Sequence, residues 1–156
     1  MRIGTSVAPA IMLTACNLAV NTDAAEKALK KSDLPAAVQK TADEQSKGAT
    51  IRGYSSEVEG GALQYEVAMV VGGHSRDVSI ALDGRVLEIE EEIAWNALSA
   101  AVRQGLEKMA GGNKITRVES LTKQGKLVAY EARVDAGSKH SEVQVGPDGN
   151  PLAHKE

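Results

Sequence analysis

The chain has 156 residues, 42% of them hydrophobic and 25% charged, with a formal net charge of −3 at pH 7. That length holds one domain or two very small ones, and the slight acidity leaves no basic field to hold nucleic acid. Three tyrosines, one tryptophan and no phenylalanine weigh against a surface built on stacked aromatic rings.

The chain opens with Met1-Arg2, runs through a mostly apolar stretch from Ile3 to Leu13, and reaches "LTAC" at Cys16. A positive start, an apolar run and small residues before a cut are the pattern of an export signal. The run is too short for a membrane span, which needs about 20 apolar residues. Cys16 is the single cysteine, so it has no partner for an internal disulfide and no companions for a zinc site. Leu13-Thr14-Ala15-Cys16 resembles the lipobox of bacterial lipoproteins. The resemblance implies a diacylglycerol on the Cys16 thiol and cleavage just before it. Two or three acyl chains would make that anchor stable. The alternative is a buried free cysteine in a helix. Residues 1–15 are thus expected to be a lipoprotein signal peptide. Residues 16–32, polar and rich in alanine and lysine, are expected to be a tether.

"LPAAV", Leu34 to Val38, predicts a helix that runs to about Ser46 and stops at Gly48, with Pro35 in its first turn. "LSAAV", Leu98 to Val102, predicts a second helix 64 positions later. Its apolar stripe, Leu98, Val102, Leu106 and Met109, has helical spacing and ends before Gly111-Gly112, so it reads as core. Ile51 matches Ile115 at the same offset. Tyr65-Glu66 matches Tyr130-Glu131 at 65, as Asp83-Gly84 matches Asp148-Gly149. One extra residue in a turn near Gly60-Gly61 or Gln124-Gly125 accounts for the change. The chain is therefore an internal repeat, with expected units at 33–89 and 90–153.

After each helix the pattern changes to period two. Leu63, Tyr65, Val67 and Met69 alternate with Gln64, Glu66 and Ala68, and Val128, Tyr130, Ala132 and Val134 do the same in the second unit. Such alternation predicts half-buried strands, and Asp-Gly predicts the hairpin turns. The expected fold is α+β: two tandem units of one helix and several antiparallel strands, forming one sheet with both helices on one face. One such unit has a marginal core, so the second copy is expected to complete the core and extend the sheet. Tyr65 and Tyr130 share parity with the apolar residues and belong on the helix side. Gln64, Glu66, Ala68, Ala129, Glu131 and Arg133 fall on the opposite side and form the candidate binding face, expected to be flat and wet.

The order of helix, "G-x-L-x-YE-V" and "V-x-[IV]-x-x-DG-x-x-L" in both copies resembles the PepSY-like domains of bacterial exported proteins. It covers Leu34 to Leu152. Related tandem domains resemble β-lactamase inhibitory protein, which binds an enzyme through its sheet. The resemblance implies a binding or inhibitory module, and it brings no catalytic residues and no cofactor. The implied job is an exported, lipid-anchored, non-catalytic module recognising an envelope protein or peptide through its sheet. It would touch the membrane only through the anchor and bind no nucleic acid. The alternative is an inhibitor of a secreted or periplasmic hydrolase, a protease or a β-lactamase.

The chemistry inventory agrees. The sequence has no Gly-x-Ser-x-Gly elbow, no His-Glu-x-x-His and no phosphate loop. His74, His140 and His154 lack metal-site spacing. His74 and His140 fall at hairpin tips, expected to be solvated, with an anion-contacting or pH-responsive tip as the alternative. The Asp-Gly pairs lack the further acids of a calcium loop and read as turns. The acidic run Glu88 to Glu92 reads as a solvated linker, with a metal-binding patch as the alternative.

Overall fold

The computed structural model describes residues 26–156. The expected signal peptide and Cys16 lie outside them. Eight strands form one antiparallel meander in sequence order. The order is β1 Lys27–Leu29, α1 Ala36–Gln45, β2 Thr50–Glu59, β3 Ala62–Val71, β4 His74–Ala81, β5 Val86–Glu92, α2 Ala100–Ala110, β6 Lys114–Lys123, β7 Lys126–Ala136 and β8 Lys139–Val145. The α+β architecture expected from the repeat is the one observed.

Three expectations are corrected. The tether of 16–32 ends in ordered structure, because Lys27, Ala28 and Leu29 pair with Ser56, Ser55 and Tyr54 of β2 and Leu29 packs on the first core. The boundary at 89/90 falls inside β5, a strand that joins the units by pairing with both β4 and β6. The second copy does not complete a shared core. Val38, Ala42, Val67, Met69, Val78 and Ile80 form one buried cluster, and Leu98, Val102, Leu106, Val118, Ala132 and Val145 form another. Each helix covers its own strands, and the units are joined through the sheet.

On the helix side the two tyrosines lie where the alternation places them. Tyr65 is buried in the first cluster and Tyr130 packs against the second. Register places Val78 opposite Val67 and Ile80 opposite Tyr65, so neighbouring strands turn the same side to the helix. Leu98 is buried just ahead of the helix, and the α2 stripe runs Val102, Leu106 and then Ala110 rather than Met109, which is 42% exposed. Spacing of four at every step keeps those side chains on one side of the cylinder. Ser99 caps α2 by accepting a hydrogen bond from the Val102 N–H at 3.2 Å. Pro35 is the corresponding cap residue of α1, just outside its first turn, and offers no side-chain acceptor.

Candidate functional site

The sheet face away from the helices carries the candidate residues. Period-two alternation sends Gln64, Glu66 and Ala68 of β3 to that face, where they pair with Ala81, Ser79 and Asp77 of β4. The rows continue across β5, with Glu88 opposite Ser79 and Glu90 opposite Asp77. They cross the junction of the units as Glu88 beside Lys123, Glu90 beside Leu121 and Glu92 beside Glu119. Glu119 then faces Glu131, and Glu131 faces Gln144. The acidic run Glu88 to Glu92 is thus a central strand and not a solvated linker.

The face is not flat. A depression of about 310 Å³ is bounded by Glu57 and Glu59 of β2 on one side and by Glu142 and Gln144 of β8 on the other. Strands six places apart border one hollow, so the sheet curls around it, as accumulated strand twist allows. Eight carboxylates line the depression, and Lys155 is the one basic residue among its lining. Gln64, Glu66 and Glu131 all reach it. Arg133 does not: it borders a separate hollow with His140 and Glu142. Ala129 is fully buried and Ala68 is half-buried, so neither is part of an open wet surface.

Burial also departs from the sequence expectation. Glu131 is only 9% exposed. Its Oε2 accepts from Gln144 Nε2 at 2.8 Å and lies 3.3 Å from Lys155 Nζ. Lys155 also reaches Glu142 at 3.0 Å, and the Glu156 N–H donates to Gln144 Oε1 at 2.8 Å. The C-terminal residues therefore cover the β7–β8 end of the face. Elsewhere the acids crowd each other. Burial raises the Glu66 carboxyl to about 7, with Asp77, Glu26 and Glu57 adding repulsion. Burial raises Glu90 to about 8, with help from Glu119, Glu88, Glu131 and Asp77. Burial also raises Glu88, against the pull of Lys123.

A second hollow, about 530 Å³, lies where the segment between β5 and α2 meets β6, and Trp95, Ile93, Glu107 and Arg117 border it. Sequence reasoning passed over it. The available signal was the lone tryptophan in a connecting segment. At the second hairpin tip, the His140 Nδ1 is held at the Asp135 carboxylate, so an acid stands beside that histidine.

No protein family model matches the chain. No curated protein matches it either. Among solved structures that match, three crystal structures show the same fold over most of the chain. A Bacteroides eggerthii protein assigned to the periplasm has TM-score 0.64 at 16% identity, over 76% of this chain and 86% of that one. A BLIP-like protein of Bacteroides fragilis has TM-score 0.57 at 19% identity, over 78% and 85%. A DUF2874 family protein of Bacteroides ovatus has TM-score 0.60 at 15% identity, over 76% and 84%. At these identities the likeness is one of fold, and it agrees with the BLIP-like repeat expected from the sequence.

Proposed function

We propose that this chain is a non-catalytic binding module of the bacterial envelope, exported, anchored through lipid on Cys16, and recognising a cationic segment of a protein or peptide on its curled acidic sheet face. The observation that carries the reading is Lys155. This chain's own lysine lies in the acidic depression, between Glu131 at 3.3 Å and Glu142 at 3.0 Å, as a partner's lysine or arginine would. Of the other carboxylates in the depression, Glu88 and Glu156 lie 3.4 and 3.8 Å from Lys123, and burial keeps Glu66 and Glu90 partly protonated near neutral pH. Glu57 and Glu59, bridged by the Gln64 amide, have no cationic partner among the described residues, and a field of one sign raises both the local concentration of an oppositely charged ligand and its on-rate. The periplasmic description of a structural neighbour and the "LTAC" sequence support the address.

The test is titration of the full chain with lysine- and arginine-rich peptides, read by fluorescence anisotropy at low and high salt. Binding that weakens as salt rises, and that fails in the Glu57→Gln/Glu88→Gln double variant, supports the reading. Equal binding of acidic and basic peptides would sink it. The anchor has its own test: mass spectrometry of the chain from its envelope should find acyl chains on Cys16, and a free Met1 with an unmodified thiol would remove the address.

The inhibitor reading draws support from the BLIP-like neighbour. Tight inhibitors present Tyr, Trp and Arg anchors. Here Tyr54, Tyr65 and Tyr130 all pack on the helix side, and Trp95 borders the other hollow. The sheet face is left without an aromatic anchor, so inhibition ranks second. Titration against a panel of β-lactamases and envelope proteases discriminates, with indifference at micromolar concentration removing it.

A further inference from the structure

One carboxylate oxygen from each of Asp77, Glu90 and Glu119 lies within 4.8 Å of the other two. The three residues come from β4, β5 and β6, so both repeat units contribute. Glu119 is 5% exposed. Its Oε2 takes Arg117 Nη2 at 3.0 Å, while its buried Oε1 has no hydrogen-bond partner among the described residues. A buried carboxylate oxygen without a donor is costly, and two further carboxylates beside it add repulsion.

We propose that Asp77, Glu90 and Glu119 form a binding site for a hard divalent cation, calcium in particular, at the junction of the two repeats. The donors are all carboxylate oxygens, with no histidine or cysteine among them, which selects calcium or magnesium over zinc or copper. Calcium, with oxygens at about 2.3–2.6 Å in a flexible shell, tolerates an irregular set of three carboxylates, whereas magnesium demands a near-ideal octahedron near 2.1 Å. A cation there would give Glu119 Oε1 its missing partner and offset the repulsion among the three acids. Water would complete the shell from the open side of the face.

The charged groups around the site pull both ways. Arg117 opposes a cation, while Glu88, Glu92 and Glu131 favour one.

Calorimetric titration of the chelator-stripped full chain with CaCl2, MgCl2 and NaCl of matched ionic strength tests this without any partner. The expected result is one saturable calcium site with a Kd on the order of 10⁻⁴ to 10⁻³ M, the range of extracellular calcium modules. Magnesium should bind more weakly, and NaCl should give no saturable signal. Asp77→Asn and Glu90→Gln should each weaken calcium at least about tenfold, as loss of one charged ligand implies. Both remove repulsion, so both should stay folded by circular dichroism. Glu44→Gln, on α1 and outside both the cluster and the depression, should bind as the parent does. No saturable binding below about 10 mM calcium, a limit ten times above that range, would overturn the site. Binding unchanged in Asp77→Asn and Glu90→Gln would overturn it too, as diffuse counterion attraction.

Discussion

Gly105 on α2 lies directly against Gly149 in the second Asp-Gly turn: a methyl group on Gly105 would stand 2.0 Å from the Gly149 carbonyl oxygen. The first repeat solves the same contact differently. There Thr41, the counterpart of Gly105, donates a hydrogen bond from its hydroxyl to the Gly84 carbonyl oxygen at 2.6 Å. Gly84 and Gly149 have φ of +87° and +80°, and a Cβ on either would meet the Ala37 or Ala101 carbonyl oxygen of the helix above. Each Asp-Gly turn is thus clamped under its own helix, more tightly in the second repeat. Gly105→Ala should therefore destabilise the protein by about 3 kcal/mol, although alanine is the better helix former. Thr41→Gly should cost less. Urea denaturation of the two variants checks the order, and a stabilised Gly105→Ala would mean that α2 and the second Asp-Gly turn do not meet at this glycine.

The helix starts differ as the sequence does. Ser99→Ala removes the hydroxyl that accepts from Val102 and should cost about 1 kcal/mol. Thermal melts of the variant and parent suffice, and an unchanged midpoint would argue against the cap.

Glu131 makes a sharper test of the curled face. An exposed acid on a wet sheet tolerates charge reversal within about 0.5 kcal/mol. Glu131 instead holds Gln144 and Lys155 in a nearly buried position. Glu131→Arg would set two cations together and strand the Gln144 amide, costing on the order of 2 kcal/mol. Denaturant midpoints decide between the flat and the curled face.

The pH dependence follows from Glu66, raised to about 7, and Glu90, raised to about 8. Both ionise near 4.5 when unperturbed. Between about 4.5 and 8 the folded chain therefore binds more protons than the unfolded one, and stability falls as pH rises across that window. Asp148 and Glu92 are held low by hydrogen bonds from the Asn150 and Ser75 backbone, so they act in the opposite sense, losing stability only as pH falls below their ordinary range. In chelator, melting temperature should drop from pH 5 to pH 9, and the Glu66→Gln/Glu90→Gln double variant should flatten the slope. A parent melting temperature that rises with pH would contradict the crowding of these acids.

Side-chain direction was legible in the sequence because it is local. Alternation at period two put Tyr65 and Tyr130 under the helices and Glu66 and Glu131 opposite, and no long-range information was needed for that. The repeat was legible for the same reason: "LPAAV" and "LSAAV", with the two Asp-Gly turns, each specify a local event. The ends of α2 were less legible, since Met109 and Ala110 differ in burial only through what the strands below leave free.

The amino-acid sequence by itself determined two helix-and-strand units, their antiparallel strands, their turns and the two faces of the sheet, because propensity, periodicity and turn chemistry act over a few neighbouring residues. The tertiary structure alone decided that β5 is shared between units, that each unit keeps a separate core, and that the acidic face curls until β2 and β8 border one depression. It also decided that Glu119 and Glu131 are buried and that Asp77, Glu90 and Glu119 meet. Those outcomes depend on cross-strand register and on twist summed over eight strands, quantities that no single stretch of sequence carries.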